Sequence, residues 1–567
     1  MGVFVDCIKL SVVISKIENP YSIYRNVFSG IFSNAALIVP VGTKDTYQST
    51  AGWSNFKIIL EDGEGGRIGQ DITVDGIRYK IGEDNTVSVI GKIKYKWPGI
   101  PYNIYSGDIV IPNLIYFAGI AYSVTSIGYY AFSHSNGLTS VTIPNSVKSI
   151  GSFAFNDCSS LTTITIPYSV TSIELSAFWG CSGLVSIIVE DGNMYYDSRN
   201  NCNAIIKTKT NDLVVGCQNT IIPATVSSIG SCAFQSCSSL TNVIIPPSVT
   251  SISSTAFQGC GGLISIKVED GNTYYDSRNN CNAIIETSSN TLIRGCDNTI
   301  IPNSVTSIGD EAFSGCSRLT SIAIPNDLTS IGSLAFRDCS GLTSITIPNK
   351  VTSIANYTFD GCSGLTSINI PNGITSIGYS AFMNCSGLIS IALPNSVQSI
   401  DDQAFLGCSG LTSITIPDEV PSIGRSTFAN CSSLLSITIP NSVKSIGNNV
   451  LSGCNSLKVV NSEIDNPFSI SNYAFNDIPS DTKLIVPKGT KSKYQAADGW
   501  NRFTNIVEVV DGDANGDERV NQADVENVES FIMGMTPSVF VRSAADMNGD
   551  QKIDVVDIVL MQNVIKK

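Results

Sequence analysis

Two twelve-residue stretches near the C-terminus carry the residues best suited to chemistry. The first, DANGDERVNQAD, sets Asp513, Asn515, Asp517, Asn521 and Asp524 at loop positions 1, 3, 5, 9 and 12. The second, DMNGDQKIDVVD, begins 33 residues later and sets Asp546, Asn548, Asp550, Asp554 and Asp557 at the same positions. Oxygens at this spacing are hard donors that wrap a hard cation, and the backbone carbonyls of Arg519 and Lys552 at position 7 complete a set suited to Ca²⁺. A lone loop of this kind reads equally well as a solvated acidic turn. Two in register, each followed by a helical stretch, point to two bound calcium ions. Without metal the clustered carboxylates repel, so folding here is expected to be metal-linked. Both loops depart from a generic EF-hand: Gly516 and Gly549 stand at position 4 rather than 6, and Asp rather than Glu closes each loop.

Loop oxygens converge only if the loop ends are held, and the apolar residues after each loop supply that anchor. Val525, Val528 and Ile532 follow the first loop, and Ile558, Met561 and Ile565 the second, spaced as one face of a helix. The two helices are expected to pack on each other. This duplicated pattern closely resembles the type I dockerin family. The resemblance implies a small α-helical module with two EF-hand-like calcium loops that binds a cohesin-type partner on a scaffold or cell-surface protein, commonly in polysaccharide-degrading assemblies. It also implies recognition positions just before the last ligand of each loop, here Gln522 and Ala523, and Val555 and Val556. Members of such assemblies often carry a Ser/Thr pair there, and the departure leaves the identity of the cohesin open.

Little else in the chain suggests reaction chemistry. Its one histidine, His134, sits in an irregular first coil, and no HExxH, nucleophile elbow or phosphate loop occurs. Phrases such as Gly407 to Gly410 (GCSG) recur as repeat corners, so the chain reads as a non-enzyme. A net charge of -14 with no Lys/Arg cluster argues against nucleic acid. No apolar run approaches the roughly 18 to 20 residues of a membrane span. The N-terminal stretch lacks a basic segment and a small-residue cleavage site, so it does not read as an export signal.

The bulk of the chain is organised by a 23-residue period. An anchoring leucine recurs at Leu138, Leu161 and Leu184, at Leu240 and Leu263, and then every 23 residues from Leu319 to Leu457, twelve coils in all. In the first coil Leu138, Val141, Ile143, Val147, Ile150, Phe153, Ala154, Phe155 and Cys158 are expected mostly to face inward. The alternation of LxxIxIP reads as a strand, the Pro-Asn pair as a turn, SVxSI as a second short strand, and the Ala-Phe stretch as a tight helical or 3-10 corner. A single coil buries too little to order its own backbone, so stability must come from stacking. The phrases "IPNSVTSIG" and "AFxGCSGLTS" closely resemble the BspA-like leucine-rich repeat family of bacterial surface proteins. That resemblance implies a leucine-rich-repeat solenoid, β-rich with short helical or 3-10 corners, displayed at the cell surface for adhesion or macromolecule binding.

Two coils are interrupted by matching inserts, EDGNMYYDSRNNCNAIIKTKTNDLVVGC and EDGNTYYDSRNNCNAIIETSSNTLIRGC, each read as a projecting β-hairpin. Their tyrosine pairs, Tyr195 with Tyr196 and Tyr274 with Tyr275, either stack on sugar rings or pack within their own hairpin. Of the 17 cysteines, eleven fall three residues before an anchoring leucine and read as a buried packing ladder. Cys202 with Cys217, and Cys281 with Cys296, are the better disulfide candidates.

Residues 7–60 align without a gap to residues 454–507: Cys7 matches Cys454, Leu10 matches Leu457, and LIVP at Leu37 to Pro40 matches LIVP at Leu484 to Pro487. The first copy is therefore expected to close an earlier array lying upstream of Met1, in a longer product with an export signal. The expected layout is residues 1–62 as that closing cap; 63–118 as linker and β-rich entry cap; 119–460 as repeats with hairpin inserts near 190–222 and 269–301; 461–509 as a second closing cap; and 510–567 as the dockerin-like domain. Two functional readings follow. In one, the solenoid binds a protein or glycan at a bacterial surface while the dockerin docks to a cohesin-type partner. In the other, the solenoid is mainly a spacer within a polysaccharide-degrading assembly. Its strand face, with Thr139, Ser140, Thr142, Thr343, Ser344 and Thr346, offers hydroxyls but no ligand signature.

Overall fold

The computed structural model describes residues 12–24, 27–28, 35–61, 68–91, 105–535, 537, 539–550 and 552–566. Cys7, Leu10 and most of the Gly-rich linker (62–67) lie outside the described residues. The chain forms two compact units, one of residues 1–240 with 251–257 and the other of 241–250 with 258–567. Both are built by the 23-residue period.

The period becomes register. Thr163–Ile166 pairs in parallel with Ser186–Val189, and Ser344–Thr346 with Ser367–Asn369, each residue against the one 23 later. The short SI strands form a second parallel ladder, as at Ser353–Ile354, Ser376–Ile377 and Ser399–Ile400. Because the repeat equals one turn of the coil, each side-chain type stacks on its own kind, and one inward face becomes a continuous core. In the first coil every residue expected inside is buried except Phe153, which is half-buried with φ 55°.

The corners explain the Phe and Cys positions. Hydrogen bonds between residues three apart run through them, Ala154 N–H to Gly151 O at 3.2 Å and Cys158 N–H to Phe155 O at 3.2 Å. This is 3-10 bonding interrupted by left-handed residues, so no continuous helix forms. The residue before each ladder cysteine is one of them, which accounts for the Gly, Asn or Asp found there in every coil but one, where Ser236 stands: Gly361, Asn384 and Gly407 have φ of 76°, 58° and 76°. Inside, Phe313, Phe336, Phe359, Phe382, Phe405 and Phe428 stack at centroid spacings of 5.2 to 5.6 Å, each nearly parallel to the next. From Cys339 to Cys454 each ladder thiol donates to the carbonyl of a phenylalanine in the preceding coil, as Cys385 to Phe359 O and Cys408 to Phe382 O at 3.1 Å, whereas Cys316 faces Gly295 O.

The inserts differ from the projecting hairpins expected. In the first, Tyr196–Asp197, Ala204–Lys207 and Asp212–Gly216 form an antiparallel meander. Its last strand joins the SI ladder in parallel, Leu213 opposite Ile229. The second insert repeats this, Leu292 opposite Ile308. Each insert thus supplies a rung of its own, because its final strand places a buried leucine where an SI strand places its buried isoleucine.

The duplicated end segments share their internal bonds. Helix α1 (Lys44–Ser49) places Tyr47, whose hydroxyl donates to Ile17 O at 2.8 Å, and Trp53 Nε1 donates to Tyr21 O at 3.1 Å. Helix α2 (Lys491–Ala496) places Tyr494 on Ile464 O at 2.8 Å, with Trp500 on Phe468 O at 3.0 Å. In the second unit the last coils run into a parallel sheet of Ser413–Thr415, Ser436–Ile439, Val459–Ser462, Lys483–Val486 and Asn505–Glu508. Beyond it come helices α3 (Gln522–Ile532), α4 (Arg542–Ala545) and α5 (Val555–Ile565). Among the described residues, no helix is long and apolar enough to cross a membrane.

Candidate metal centre

The two acidic loops fold alike, and their own side chains hold them. In the first, Asp513 accepts from the backbone N–H of Asp517 (2.9 Å) and Glu518 (2.8 Å), Asn515 Oδ1 from Asp517 N–H (2.9 Å), and Asp517 Oδ1 from Arg519 N–H (2.9 Å). In the second, Asp546 accepts from Gly549 (2.7 Å) and Asp550 (3.1 Å), Asn548 from Asp550 (2.9 Å), and Asp550 from Lys552 (2.9 Å). Each loop ends in a capping box. Asn521 caps α3, and Asp524 accepts from Asn521 N–H at 2.9 Å and reaches back to Asn515 N–H at 3.0 Å. Asp554 caps α5, and Asp557 accepts from Asp554 N–H at 2.9 Å and from Met547 N–H at 2.8 Å.

Burial makes negative charge costly in this arrangement. Asp524 and Asp557 are wholly buried and Asp513 nearly so. Among the described residues no side-chain cation forms an ion pair with any of these three. Burial raises the Asp513 carboxyl above its usual range, Asp524 and Asp517 adding to the rise while two backbone N–H groups oppose it. Buried carboxylates without a cationic partner are costly, and a divalent ion bound by oxygen ligands is the chemistry that would relieve it. Among the described residues no group of three or more His, Cys, Asp or Glu side chains is gathered as a metal site. The donor set expected of these loops is of another kind, mixing Asp with Asn and a backbone carbonyl.

The helices anchor the loops much as their apolar spacing implies. Val525 and Val528 of α3 and Met561 of α5 are buried in one small core with Ala514 and Ala545, and Ile558 packs at its edge. Ile532 and Ile565, expected in the same contact, lie exposed at the helix ends. The four positions expected to meet a partner, Gln522, Ala523, Val555 and Val556, are exposed.

On the solenoid, each insert splits its tyrosine pair. Tyr196 and Tyr275 are buried, and Tyr196 Oη accepts from Ile173 N–H at 2.9 Å, whereas Tyr195 and Tyr274 are about half exposed. The disulfide pairings do not form: Cys202, Cys217, Cys281 and Cys296 are buried free thiols. Their sulfurs instead face backbone carbonyls, Cys202 that of Ala204 and Cys217 that of Asn203.

One contact escaped sequence reasoning. Val541 and Ala544, between the two loops, are buried against Val459 and Ile485 of the preceding sheet, with Val507, Val509 and Val539 around them. The signal was the apolar run VEVV after Ile506, which an end strand without a cover would not carry.

A coiled β-ladder followed by a small helical module with two acidic loops defines a repeat protein with a C-terminal appendage. The family model for the BspA type leucine rich repeat region matches residues 113–215, 206–294, 284–410 and 375–497. The chain belongs to that family, and its residues 511–566 match the dockerin type I domain. Both families are non-catalytic, and type I dockerins bind calcium. Among solved structures, a leucine rich cell surface protein of Faecalibacterium prausnitzii is 28% identical, covering 66% of this chain and 95% of its own, with a TM-score of 0.38. A leucine-rich repeat protein of Bacteroides ovatus is 28% identical over 74% of this chain and 100% of its own, with a TM-score of 0.32. One from Eubacterium ventriosum is 22% identical over 68% and 95%, with a TM-score of 0.43. A search of curated proteins found no match.

Proposed function

We propose that this is a non-catalytic binding protein of a bacterial cell surface or exterior, whose C-terminal module takes two calcium ions and docks to a cohesin-type partner. The observation that carries the reading is the wholly buried carboxylate that closes each loop, Asp524 and Asp557, with which no side-chain cation forms an ion pair among the described residues. One ion falls to Asp513, Asn515, Asp517, Asn521 and Asp524 with the carbonyl of Arg519. The other falls to Asp546, Asn548, Asp550, Asp554 and Asp557 with the carbonyl of Lys552. Calcium supplies the positive charge that lets these oxygens sit together. The partner meets Gln522, Ala523, Val555 and Val556, joined by the neighbouring exposed Val559 on α5. An apolar contact of this kind replaces the hydroxyl pair of many dockerins.

The solenoid's ligand, protein or glycan, is met through the inserts, where Tyr195 and Tyr274 are offered from equivalent positions. The spacer reading has its own support. Strand-face hydroxyls are engaged within the molecule, Thr139 and Ser140 with Asp108 at 2.8 and 2.6 Å and Thr343 with Thr320 O at 3.3 Å. In that reading the protein is an accessory part of a polysaccharide-degrading assembly.

The test titrates the whole chain with calcium by calorimetry and measures its binding to a panel of cohesins with and without chelator. Two calcium sites and a chelator-sensitive cohesin complex are expected. Absence of calcium heat at micromolar to millimolar concentrations refutes the metal assignment. Replacing Tyr195 and Tyr274 by alanine and assaying matrix proteins and glycans separates ligand binding from the spacer role.

A further inference from the structure

The two calcium loops share their capping boxes and several internal bonds but differ in what surrounds them. Gly516, at position 4 of the first loop, is buried, and a Cβ there would meet Ile485 at 3.2 Å and Val541 at 3.3 Å. Gly549, its counterpart, is exposed, and a Cβ there would meet nothing within 4 Å. Lys483, on the strand Lys483–Val486 of the preceding sheet, donates from Nζ to Gly516 O at 2.9 Å and pairs with Glu518 at 2.8 Å. Glu518 stands at position 6 with φ 70°, a left-handed conformation that disfavours a non-glycine residue. Its ion pair with Lys483 holds it there and keeps its carboxyl below the usual range. Val541 and Ala544 seal the contact from the dockerin side, and Lys488 reaches Asp511 at 2.5 Å just before the loop.

We propose that the last sheet of the solenoid is a built-in partner of the first calcium loop: it clamps positions 4 and 6, presets that loop for its ion, and makes the two calcium sites unequal. The inference rests on the calcium reading above. A loop already held by its surroundings loses less freedom on binding, so its affinity is higher than that of an identical free loop. Ion binding and seating of the module on the sheet are then linked, each favouring the other.

Charge and clamp give opposite signs at Lys483. Removing a cation beside an acidic loop strengthens calcium binding if only charge matters, and weakens it if the loop loses its support. The experiment uses the full chain in two backgrounds, Asp546→Ala leaving only the first site and Asp513→Ala only the second. Calcium affinity is read by calorimetry, and the solenoid's melting transition shows that each variant is folded. Lys483→Met, and Val541→Ser from the other side of the contact, are each expected to weaken the first site about tenfold, the usual scale for loss of a supporting residue. Neither moves the second. Unchanged or tighter binding at the first site overturns the clamp, and so does equal weakening of both sites. Failure of the calcium reading itself looks different, because then the wild-type chain gives no heat.

Discussion

Asp517 and Asp524 both belong to the first loop's oxygen set, yet the structure gives them separable duties. Asp517 is exposed, and its one backbone bond, from Arg519 N–H, runs to a single carboxylate oxygen. Asn at this position keeps that acceptor and loses only the charge. Asp524 is buried and uses both oxygens, one for Asn515 N–H and one for Asn521 N–H. Asn there must turn an NH₂ toward one of these donors, leaving a buried N–H unsatisfied at a cost of about 1–3 kcal/mol. Native-state hydrogen exchange on the amides of α3 reads the opening free energy directly. In chelator, Asp517→Asn is expected to match wild type within about 0.5 kcal/mol, while Asp524→Asn falls by about 1–3 kcal/mol. Calcium at a hundred times its dissociation constant adds about 2.7 kcal/mol per filled site, and both variants are expected to gain less than wild type from the first site. An Asp517→Asn chain that gains as much from calcium as wild type refutes the ligand assignment. An unmoved Asp524→Asn in chelator refutes the capping geometry.

Three further outcomes follow from the solenoid. Phe382, fully buried and stacked at 5.4 and 5.3 Å on its neighbours, is expected on change to Ala to lower stability by about 3–5 kcal/mol in chemical denaturation; a loss under about 1 kcal/mol contradicts the stack. Burial pushes the Cys316, Cys408 and Cys454 thiols up to about 12, so iodoacetamide at pH 8 is expected to leave them unlabelled until denaturant is added, as mass spectrometry of the peptides will report. Burial raises Glu311 to about 7 against the pull of Arg294 and Arg337, and its Oε2 finds no hydrogen-bond partner among the described residues. The folded state therefore holds this proton more tightly than the unfolded one, and its contribution is lost as pH rises from about 4.5 through 7. Glu311→Gln is expected to melt higher than wild type at pH 8 by an amount worth about 1–2 kcal/mol and to equal it near pH 4; a lower melting point at pH 8 rejects that sign.

What was legible in the sequence was whatever repeats. The anchoring leucines and ladder cysteines recur at one spacing, and a spacing equal to the coil length maps onto one inward face whatever the details of the turns. The turn of each acidic loop was legible for a related reason, since twelve contiguous residues fold back on themselves and end in a helix capped by Asn521 or Asp554. Phe153 is the exception among the nine first-coil residues because apolar character says nothing of φ: at that left-handed corner the ring is half-buried, stacked on Tyr130 at 5.1 Å. The inserts were read as projecting because antiparallel pairing is visible locally, whereas the parallel rung of Leu213 on Ile229 depends on a strand from outside the insert.

The contact between the last sheet and the first loop was hidden for that same reason in stronger form. Lys483 and Glu518 are 35 positions apart, in segments whose own patterns, a buried strand and an acidic loop, are each complete without the other. Only the surplus apolar character of Val507, Val509, Val539 and Val541 marked a missing cover, and nothing local said which surface would supply it. The same asymmetry bears on docking. If the first half of the module is held by its own solenoid, the partner meets a fixed orientation of exposed Val555, Val556 and Val559. The position of the repeats relative to the assembly is then set by a rigid contact, not by a linker, and the choice between adhesin and spacer becomes a question about what the inserts face once the dockerin is seated.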